Sequence, residues 1–298
     1  MDLSTHIVRN DLVKAGADTG EWDSIVTAPA VKNRLIRSVL LGLQLRGKLS
    51  FHVSALHGLA LIIGPPGTGK STIVRGLAGQ IANLVTQKQC RLIEINPHGL
   101  MSGEHGKSQQ QVHILLTEQI PTLADDGLPT ILMLDEVESL AVARSEASLA
   151  ANPADVHRAT DAVLTSLDEI AQKHPNIVVV ATSNFTGALD EAFRSRADVL
   201  IEMPFPDATA IEGILRRVLI DFSHAYPTLA EVAAAPELSR VARALVGRDG
   251  RAIRKSVTEA MLLRLEVTID PAQLTLDDLL ESAGAGTTAG TERPHATL

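Results

Sequence analysis

The sequence predicts an α/β fold, with a five-stranded parallel sheet covered by helices on both faces and then a small all-α lid. Three observations support this prediction. Short, continuously apolar runs alternate with helix-like segments, a PFPD break ends the last run, and only helical periodicity follows that break. Strands that are buried on both faces of a parallel sheet form such unbroken apolar runs, because helices cover both faces.

The five predicted strands are aliphatic runs of similar length. They are LALII, RLIEI, TILML, IVVVA and VLIEM, which begin at Leu59, Arg91, Thr130, Ile177 and Val199. Ahead of the first run, residues 25–45 place apolar side chains near helical spacing, which predicts a helix that flanks the main domain. Right-handed crossovers would join the strands into one sheet.

The predicted domain boundaries follow these patterns. We expect a short N-terminal extension over residues 1–21, a large α/β domain over 22–205 and a helical lid over 206–280. The lid begins after PFPD, where Asp207 is expected to cap a new helix. The final stretch, AGAGTTAGTERPHATL, has almost no large apolar side chain, so we expect residues 281–298 to be a disordered tail.

Composition argues against several classes of protein. The chain of 298 residues has a formal net charge of −8, which argues against a protein that binds mainly to nucleic-acid phosphates, although a local basic pore stays possible. No apolar run approaches the ~20 residues that a helix needs to cross a bilayer. The N-terminus also lacks the pattern of a signal peptide. We therefore expect a soluble, cytoplasmic protein without a membrane partner, in which Cys90 is a buried apolar side chain.

A predicted phosphate-binding loop follows the first strand. The segment GPPGTGKST has the pattern G-x-x-x-x-G-K-S between a strand and a helix, which is the setting that this motif requires. Its glycines let backbone N–H groups turn towards phosphate, Lys70 adds a charge at the β- and γ-phosphates, and the Ser71 hydroxyl would bind Mg²⁺. The alternative is a glycine-rich turn without a ligand. The residues predicted to hold ATP are Gly64, Pro65, Pro66, Gly67, Thr68, Gly69, Lys70, Ser71 and Thr72.

An acidic pair, Asp135 and Glu136, follows the strand TILML. The pair is therefore expected at the carboxyl edge of the sheet, where ligands bind in open α/β sheets. Asp135 would hold the Mg²⁺ of bound ATP through its water shell, and Glu136 would orient and polarise the attacking water. Such a pair alone is a weak signal, since solvated acidic loops are common. Beside the phosphate loop, it predicts an ATPase with an ASCE-type P-loop sheet.

Four more polar residues are candidates for the same site. Asn184 follows the fourth strand and would reach the attacking water or the γ-phosphate, unless it only caps a turn. Arg194 and Arg196 precede the last strand. In a single subunit they are most simply surface charges, whereas in a ring they would act on a neighbour's ATP as arginine fingers. Arg251 begins a lid helix, where it could follow the γ-phosphate or be an exposed charge.

Together, these elements resemble an AAA+ ATPase, and the resemblance runs from Trp22 to Val267. The segments that narrow it are WDSIVTAPAVKNRL, LIEINPHGL, LDEVESLAVAR, AVLTSLDEI and FRSRAD. They are similar to the AAA+ remodellers of HORMA-domain proteins, a family with the pachytene checkpoint ATPase, the thyroid receptor interacting protein and bacterial relatives associated with anti-phage cyclic-oligonucleotide signalling. The resemblance implies that Asn184 is sensor 1, Arg196 the arginine finger and Arg251 sensor 2.

The resemblance also implies a homo-hexameric ring that uses ATP and Mg²⁺ to open a HORMA-domain partner by pulling its N-terminal segment. The chain before Trp22 is too short for the N-domain of eukaryotic members, so we expect recruitment to be direct or to use another surface. Where the family's pore loop carries an aromatic residue, this chain has Glu104 and His105, in a loop that either contacts the substrate or is simply solvated. A scaffold that binds ATP without turnover, a nucleic-acid loader and a protease-linked unfoldase remain alternatives.

Overall fold

A computed structural model gives the structure of most of the chain. The residues it describes are 6–17, 20–96, 100, 107–141, 153–185 and 189–288. The chain divides into two compact units. The first comprises residues 1–23, 29–65 and 70–203, and the second comprises 24–28, 66–69 and 204–298.

The first unit is built around a single six-stranded sheet. Its strands are β1 (Ile7–Lys14), β2 (Leu59–Ile63), β3 (Gln89–Ile95), β4 (Thr130–Leu134), β5 (Ile177–Ser183) and β6 (Val199–Glu202). They lie in the order β1-β3-β4-β5-β2-β6, and every neighbouring pair except β1 with β3 is parallel. All residues of β2, β4 and β5 are buried. The five strands predicted from aliphatic runs are therefore confirmed.

The sixth strand, β1, corrects the prediction that residues 1–21 are an extension outside the α/β domain. It pairs antiparallel with β3 from Ile7, opposite Ile95, to Lys14, opposite Gln89. Its sequence, IVRNDLVK, has only half-buried and exposed positions and carries charges. An edge strand of this kind is protected from further pairing by polar side chains, so it lacks the continuous apolar run that identifies a central strand.

Helices pack on both faces of this sheet. In chain order they are α1 (Glu21–Ser24), α2 (Pro29–Arg46), α3 (Phe51–Ser54), α4 (Lys70–Leu84), α5 (Lys107–Ile114), α6 (Ile120–Leu123), α7 (Pro153–Lys173) and α8 (Glu191–Ser195). A π-helical turn, Leu115–Gln119, joins α5 to α6, and a 3₁₀ turn, Val137–Ser139, follows β4. Val178 faces Gly42 of α2, whereas the next residue, Val179, belongs to the aliphatic core that includes α7. The helix predicted within residues 25–45 is confirmed as α2.

A buried arginine connects three of these elements. Arg46, at the end of α2, is 6% exposed, and its hydrogen bonds to described residues all go to backbone carbonyls. One acceptor is the carbonyl of Ile177, at the start of β5, at 2.6 Å. The others, at the end of α7, belong to Ile170, Ala171 and His174. Burial lowers the pKa of Arg46 to about 10, so the guanidinium stays charged at neutral pH and stabilises the helix end.

The second unit consists of helices in the described part of the chain. They are α9 (Ala208–Ser223), α10 (Leu229–Ala234), α11 (Leu238–Ala244), α12 (Gly250–Met261), α13 (Leu265–Ile269) and α14 (Leu276–Thr288), with a 3₁₀ turn at Pro271–Gln273. Asp207 caps α9 by accepting the N–H of Ala210 at 2.8 Å, as the sequence predicted. Asp249 caps α12 in the same way through Ala252. A separate aliphatic core, which includes Ile211, fills this unit.

The last helix, α14, corrects the prediction that a disordered tail begins at residue 281. Its residues continue in helical conformation to Thr288. Ala283 is fully buried, and the hydroxyl of Ser282 donates to the carbonyl of Ser256 at 3.1 Å. Because these side chains are small, the helix packs closely on α12, whereas in the sequence the same small residues looked like a tail. Residues 289–298 lie outside the described ranges.

Two predictions from composition are also tested. Cys90 is fully buried, as expected, and burial raises the pKa of its thiol to about 12. None of the helices in the described ranges combines the length and hydrophobicity that a bilayer crossing requires.

Candidate active site

The phosphate loop joins β2 to α4, and its backbone requires glycine. A Cβ on Gly64 would lie 2.1 Å from the carbonyl oxygen of Met203, which is far inside van der Waals contact. Gly67 and Gly69 have φ angles of +76° and +93°, in the left-handed region that residues other than glycine rarely adopt. The glycines of the motif therefore stand where the backbone needs them.

The side chain of Lys70 bridges the phosphate loop and the end of β5. It is 6% exposed. Its Nζ donates to the carbonyls of Gly64 and Pro65 and to Oδ1 of Asn184, each at 2.8 Å. Burial lowers the pKa of Lys70, and the charges of three nearby carboxylates oppose this shift, those of Glu138, Asp135 and Glu136. The ammonium group is thus held at the loop.

Ser71 and Asp135 form a donor set that fits Mg²⁺. Ser71 lies in the first turn of α4, and its hydroxyl donates to Oδ1 of Asp135, after β4, at 2.7 Å. The hydroxyl of Thr182 donates to the same oxygen through a short hydrogen bond. No group of three or more His, Cys, Asp or Glu side chains with metal-binding geometry occurs in the described ranges. Mg²⁺ needs none here, since it is usually held by one or two protein oxygens plus phosphates and water.

Glu136 and Asn184 lie side by side next to this pair. Glu136 has φ 50° and ψ 51°, a left-handed conformation uncommon for residues other than glycine, and its N–H donates to Oγ1 of Thr182 at 3.1 Å. Its carboxylate is exposed and accepts from Nδ2 of Asn184 at 3.4 Å. Because Oδ1 of the same carboxamide accepts from Lys70, Asn184 connects the lysine to the acid.

Two residues of this cluster, Thr182 and Glu138, were not predicted from the sequence as members of the site. Thr182, which is 1% exposed, contacts both Asp135 and the backbone of Glu136. Glu138 accepts the backbone N–H of Asn184 at 3.1 Å. The available signals were a polar residue within an otherwise apolar strand and a third acid two positions after Glu136, and neither is specific on its own.

The two arginines before β6 have different surroundings. Arg196 donates from Nε and Nη2 to both carboxylate oxygens of Asp168 at 2.8 Å, and from Nη1 to the carbonyl of Ala192. These hydrogen bonds raise the pKa of Arg196 and lower that of Asp168, which also lies 3.4 Å from His57. Arg194 is exposed, and its side chain forms no hydrogen bond or ion pair with any described residue. Neither arginine is bonded to the Lys70 cluster in the part of the chain described.

Arg251 lies in the first turn of α12, as predicted, and is exposed. Within the second unit, a Cβ on Gly67 would lie 2.4 Å from Oδ1 of Asp249, the residue that caps this helix. The role of Arg251 as a phosphate sensor stays a prediction. Glu104 and His105 lie outside the described residues.

Comparisons with known proteins place this chain in a family. The model of the ATPase family associated with various cellular activities (AAA) matches residues 60–205. CD-NTase-associated protein 6 of Pseudomonas aeruginosa is 43% identical over 258 residues, which cover 87% of this chain and 84% of that protein. The pachytene checkpoint protein 2 homolog of Danio rerio is 31% identical over 79% of this chain, which spans only 61% of the fish protein.

Two solved structures share the fold. The structure of C. elegans PCH-2 has a TM-score of 0.73 at 24% identity and covers 95% of this chain and 76% of its own. A chain of the E. coli MS115-1 HORMA:CdnC:Trip13 complex has a TM-score of 0.74 at 16% identity, and the match covers 100% of this chain and 99% of that one. From the sequence identities and the matched family model, the chain belongs to the AAA family of ATPases, in the group that includes CD-NTase-associated protein 6 and the pachytene checkpoint protein 2 homologues.

Proposed function

We propose that this chain is an ATP-driven remodeller that engages and opens a HORMA-domain partner in a bacterial anti-phage cyclic-oligonucleotide signalling system. The observation that carries the proposal is the 43% identity to CD-NTase-associated protein 6 across 84% of that protein. The shared fold with a chain of a HORMA:CdnC:Trip13 complex supports the choice of partner. We propose a homo-hexamer as the working assembly, in line with AAA+ proteins in general.

The hydrogen-bonded cluster around Lys70 supports Mg²⁺-dependent ATP hydrolysis. Ser71 and Asp135 would hold Mg²⁺, which when bound neutralises charge on the phosphates. Lys70 exchanges its carbonyl partners in the loop for phosphate oxygens, because a charged acceptor forms the stronger hydrogen bond. Glu136, which is exposed to solvent, accepts a proton from the attacking water. Asn184 keeps that carboxylate in place through the hydrogen bond from Nδ2.

A dissociation assay tests the proposed function. A HORMA-domain protein from the same genome is loaded in its closed state with a fluorescent partner peptide, and this chain is added with Mg²⁺ and ATP, ADP or a non-hydrolysable analogue. We expect peptide release with ATP only, and no unfolding of an unrelated stable protein in the same reaction. ATP hydrolysis without peptide release would contradict the proposed substrate, whereas absence of hydrolysis would contradict the proposed ATPase activity.

Arg196→Ala is expected to reduce ATP turnover by ~10³-fold or more while ATP affinity is kept, because an arginine finger acts on the ATP of a neighbouring subunit. The measurement combines phosphate release with binding calorimetry. Asp168→Asn is the control for the intramolecular ion pair, since it weakens the anchor of Arg196 but leaves the guanidinium. Arg240→Ala, which removes an exposed arginine of α11 in the second unit, is the matched control for removing a charge.

Mixed rings make the same prediction sharper. In rings that combine Arg196→Ala with Glu136→Gln subunits, some interfaces pair an intact Glu136 with an intact Arg196 of the neighbour. These interfaces should recover part of the activity that each variant lacks alone. If mixed rings form, as shown by native mass spectrometry, and remain inactive, Arg196 does not act across the interface.

A further inference from the structure

Glu138 lies just behind the acidic pair, in the 3₁₀ turn Val137–Ser139 that follows β4. Its side chain points back across the site, where Oε1 accepts the backbone N–H of Asn184 at 3.1 Å. The other oxygen, Oε2, is buried and has no hydrogen-bond donor among the described residues. A carboxylate is costly to bury with one oxygen unpaired, and the hydrogen bond from Asn184 offsets part of this cost.

The contact lies where regular sheet pairing stops. The last paired residue of β5 is Ser183, opposite Ile63 of β2. Asn184 is the next residue, and its N–H is bound by a side chain instead of a neighbouring strand. The orientation of the Asn184 peptide therefore depends on Glu138, in addition to the chain that leads into it.

The side chain of Asn184 is the part of the site that this peptide directs. Its Oδ1 accepts from Nζ of Lys70 at 2.8 Å, and its Nδ2 donates to Oε1 of Glu136 at 3.4 Å. Both contacts depend on the direction in which the residue leaves the strand. Glu138 also lies close enough to Lys70 that its charge gives the largest of the carboxylate effects on that lysine.

We propose that Glu138 is a positioning residue for ATP hydrolysis, which binds the backbone of Asn184 and so holds its carboxamide between Lys70 and Glu136. The inference rests on the proposed hydrolysis at this site and assigns a function to a residue that acts through the backbone of Asn184. Its role requires a hydrogen-bond acceptor at Oε1 and not a negative charge. Glutamine can supply that acceptor, whereas alanine cannot.

The test compares Glu138→Ala with Glu138→Gln in the full-length chain. For Glu138→Ala we expect kcat to fall by ~10²-fold, because a displacement of about 1 Å in a positioning group has effects of this order. The KM for ATP should stay within twofold, since the phosphate loop is untouched. Glu138→Gln should recover most of the lost rate. Thr160→Val is the matched control, since Thr160 anchors the same segment through the carbonyl of Leu140 at 3.2 Å and forms no hydrogen bond with a site residue in the described part of the chain.

Hydrogen exchange at the Asn184 amide gives a second readout that does not depend on activity. In the parent chain and in Glu138→Gln this amide should be protected, and in Glu138→Ala it should exchange faster. Parental kcat in Glu138→Ala, or equal losses in the Ala and Gln variants, would overturn the inference. So would equal losses in Glu138→Ala and Thr160→Val, which would indicate a structural role. If the parent chain exchanges as expected but hydrolyses no ATP, the proposed function fails and the Glu138–Asn184 contact stands.

Discussion

Glu136→Gln will stop ATP turnover and leave ATP binding intact. The glutamine amide has the shape of the carboxylate, and its oxygen can still accept from Nδ2 of Asn184. It cannot take a proton from water, and loss of a general base reduces rates by ~10² to 10⁴-fold. Because the Glu136 side chain is exposed, the melting temperature should not change.

The measurement for this variant is steady-state phosphate release, with nucleotide affinity from calorimetry beside it. A variant that binds ATP without turnover should also accumulate as an assembled ring, which light scattering after size-exclusion chromatography detects. Glu237→Gln, an exposed carboxylate in the second unit, is the control for a change of charge. Turnover within twofold of the parent would show that Glu136 is not the base.

Lys70→Ala is expected to weaken ATP binding on the order of 100-fold, because one charge-assisted hydrogen bond is worth ~1.5 to 3 kcal/mol. The variant removes an ammonium that is almost completely buried beside the loop. It also removes the donor that holds Oδ1 of Asn184, so any residual turnover at saturating ATP should be low as well.

Calorimetric titration with ATP checks the affinity of the Lys70 variant. Lys173→Ala removes an exposed lysine that pairs with Glu169 one helical turn away, and it should bind ATP as the parent does. Equal affinities of Lys70→Ala and the parent would mean that ATP binds somewhere other than this loop.

The central strands β2, β4 and β5 were predictable because each is buried on both faces. The aliphatic runs within β2, β4 and β5 are typical of strands in a parallel sheet that helices cover on both faces. β1 could not be found in this way, since most of its residues are at least partly exposed and its pairing with β3 spans a long stretch of chain. The helical end of α14 was missed for a different reason. The small side chains that allow it to pack closely also occur in disordered tails.

The candidate site was predictable where the topology alone brings residues together. The phosphate loop, Asp135 and Asn184 follow strands that are neighbours in a parallel sheet, so their side chains meet at one edge. The contacts of Thr182 and Glu138 depend on rotamers and on the turn after β4, which no spacing rule gives. The pairing of Arg196 with Asp168 was out of reach as well, because it joins α7 to the residue after α8.

The buried guanidinium of Arg46 connects the helix that holds Arg196 with the strand that leads to Asn184. Helix α7 contains Asp168, which holds Arg196, and strand β5 leads to Asn184. Arg46 binds the end of that helix and the beginning of that strand at once. If Arg46 moved away, the carbonyls at the end of α7 and at the start of β5 would lose their charged donor at the same time. We therefore expect these two segments to unfold locally as one cooperative unit. A force applied at Arg196 would therefore be transmitted through Asp168 and α7 to Arg46, and from there to β5, the strand that leads to Asn184.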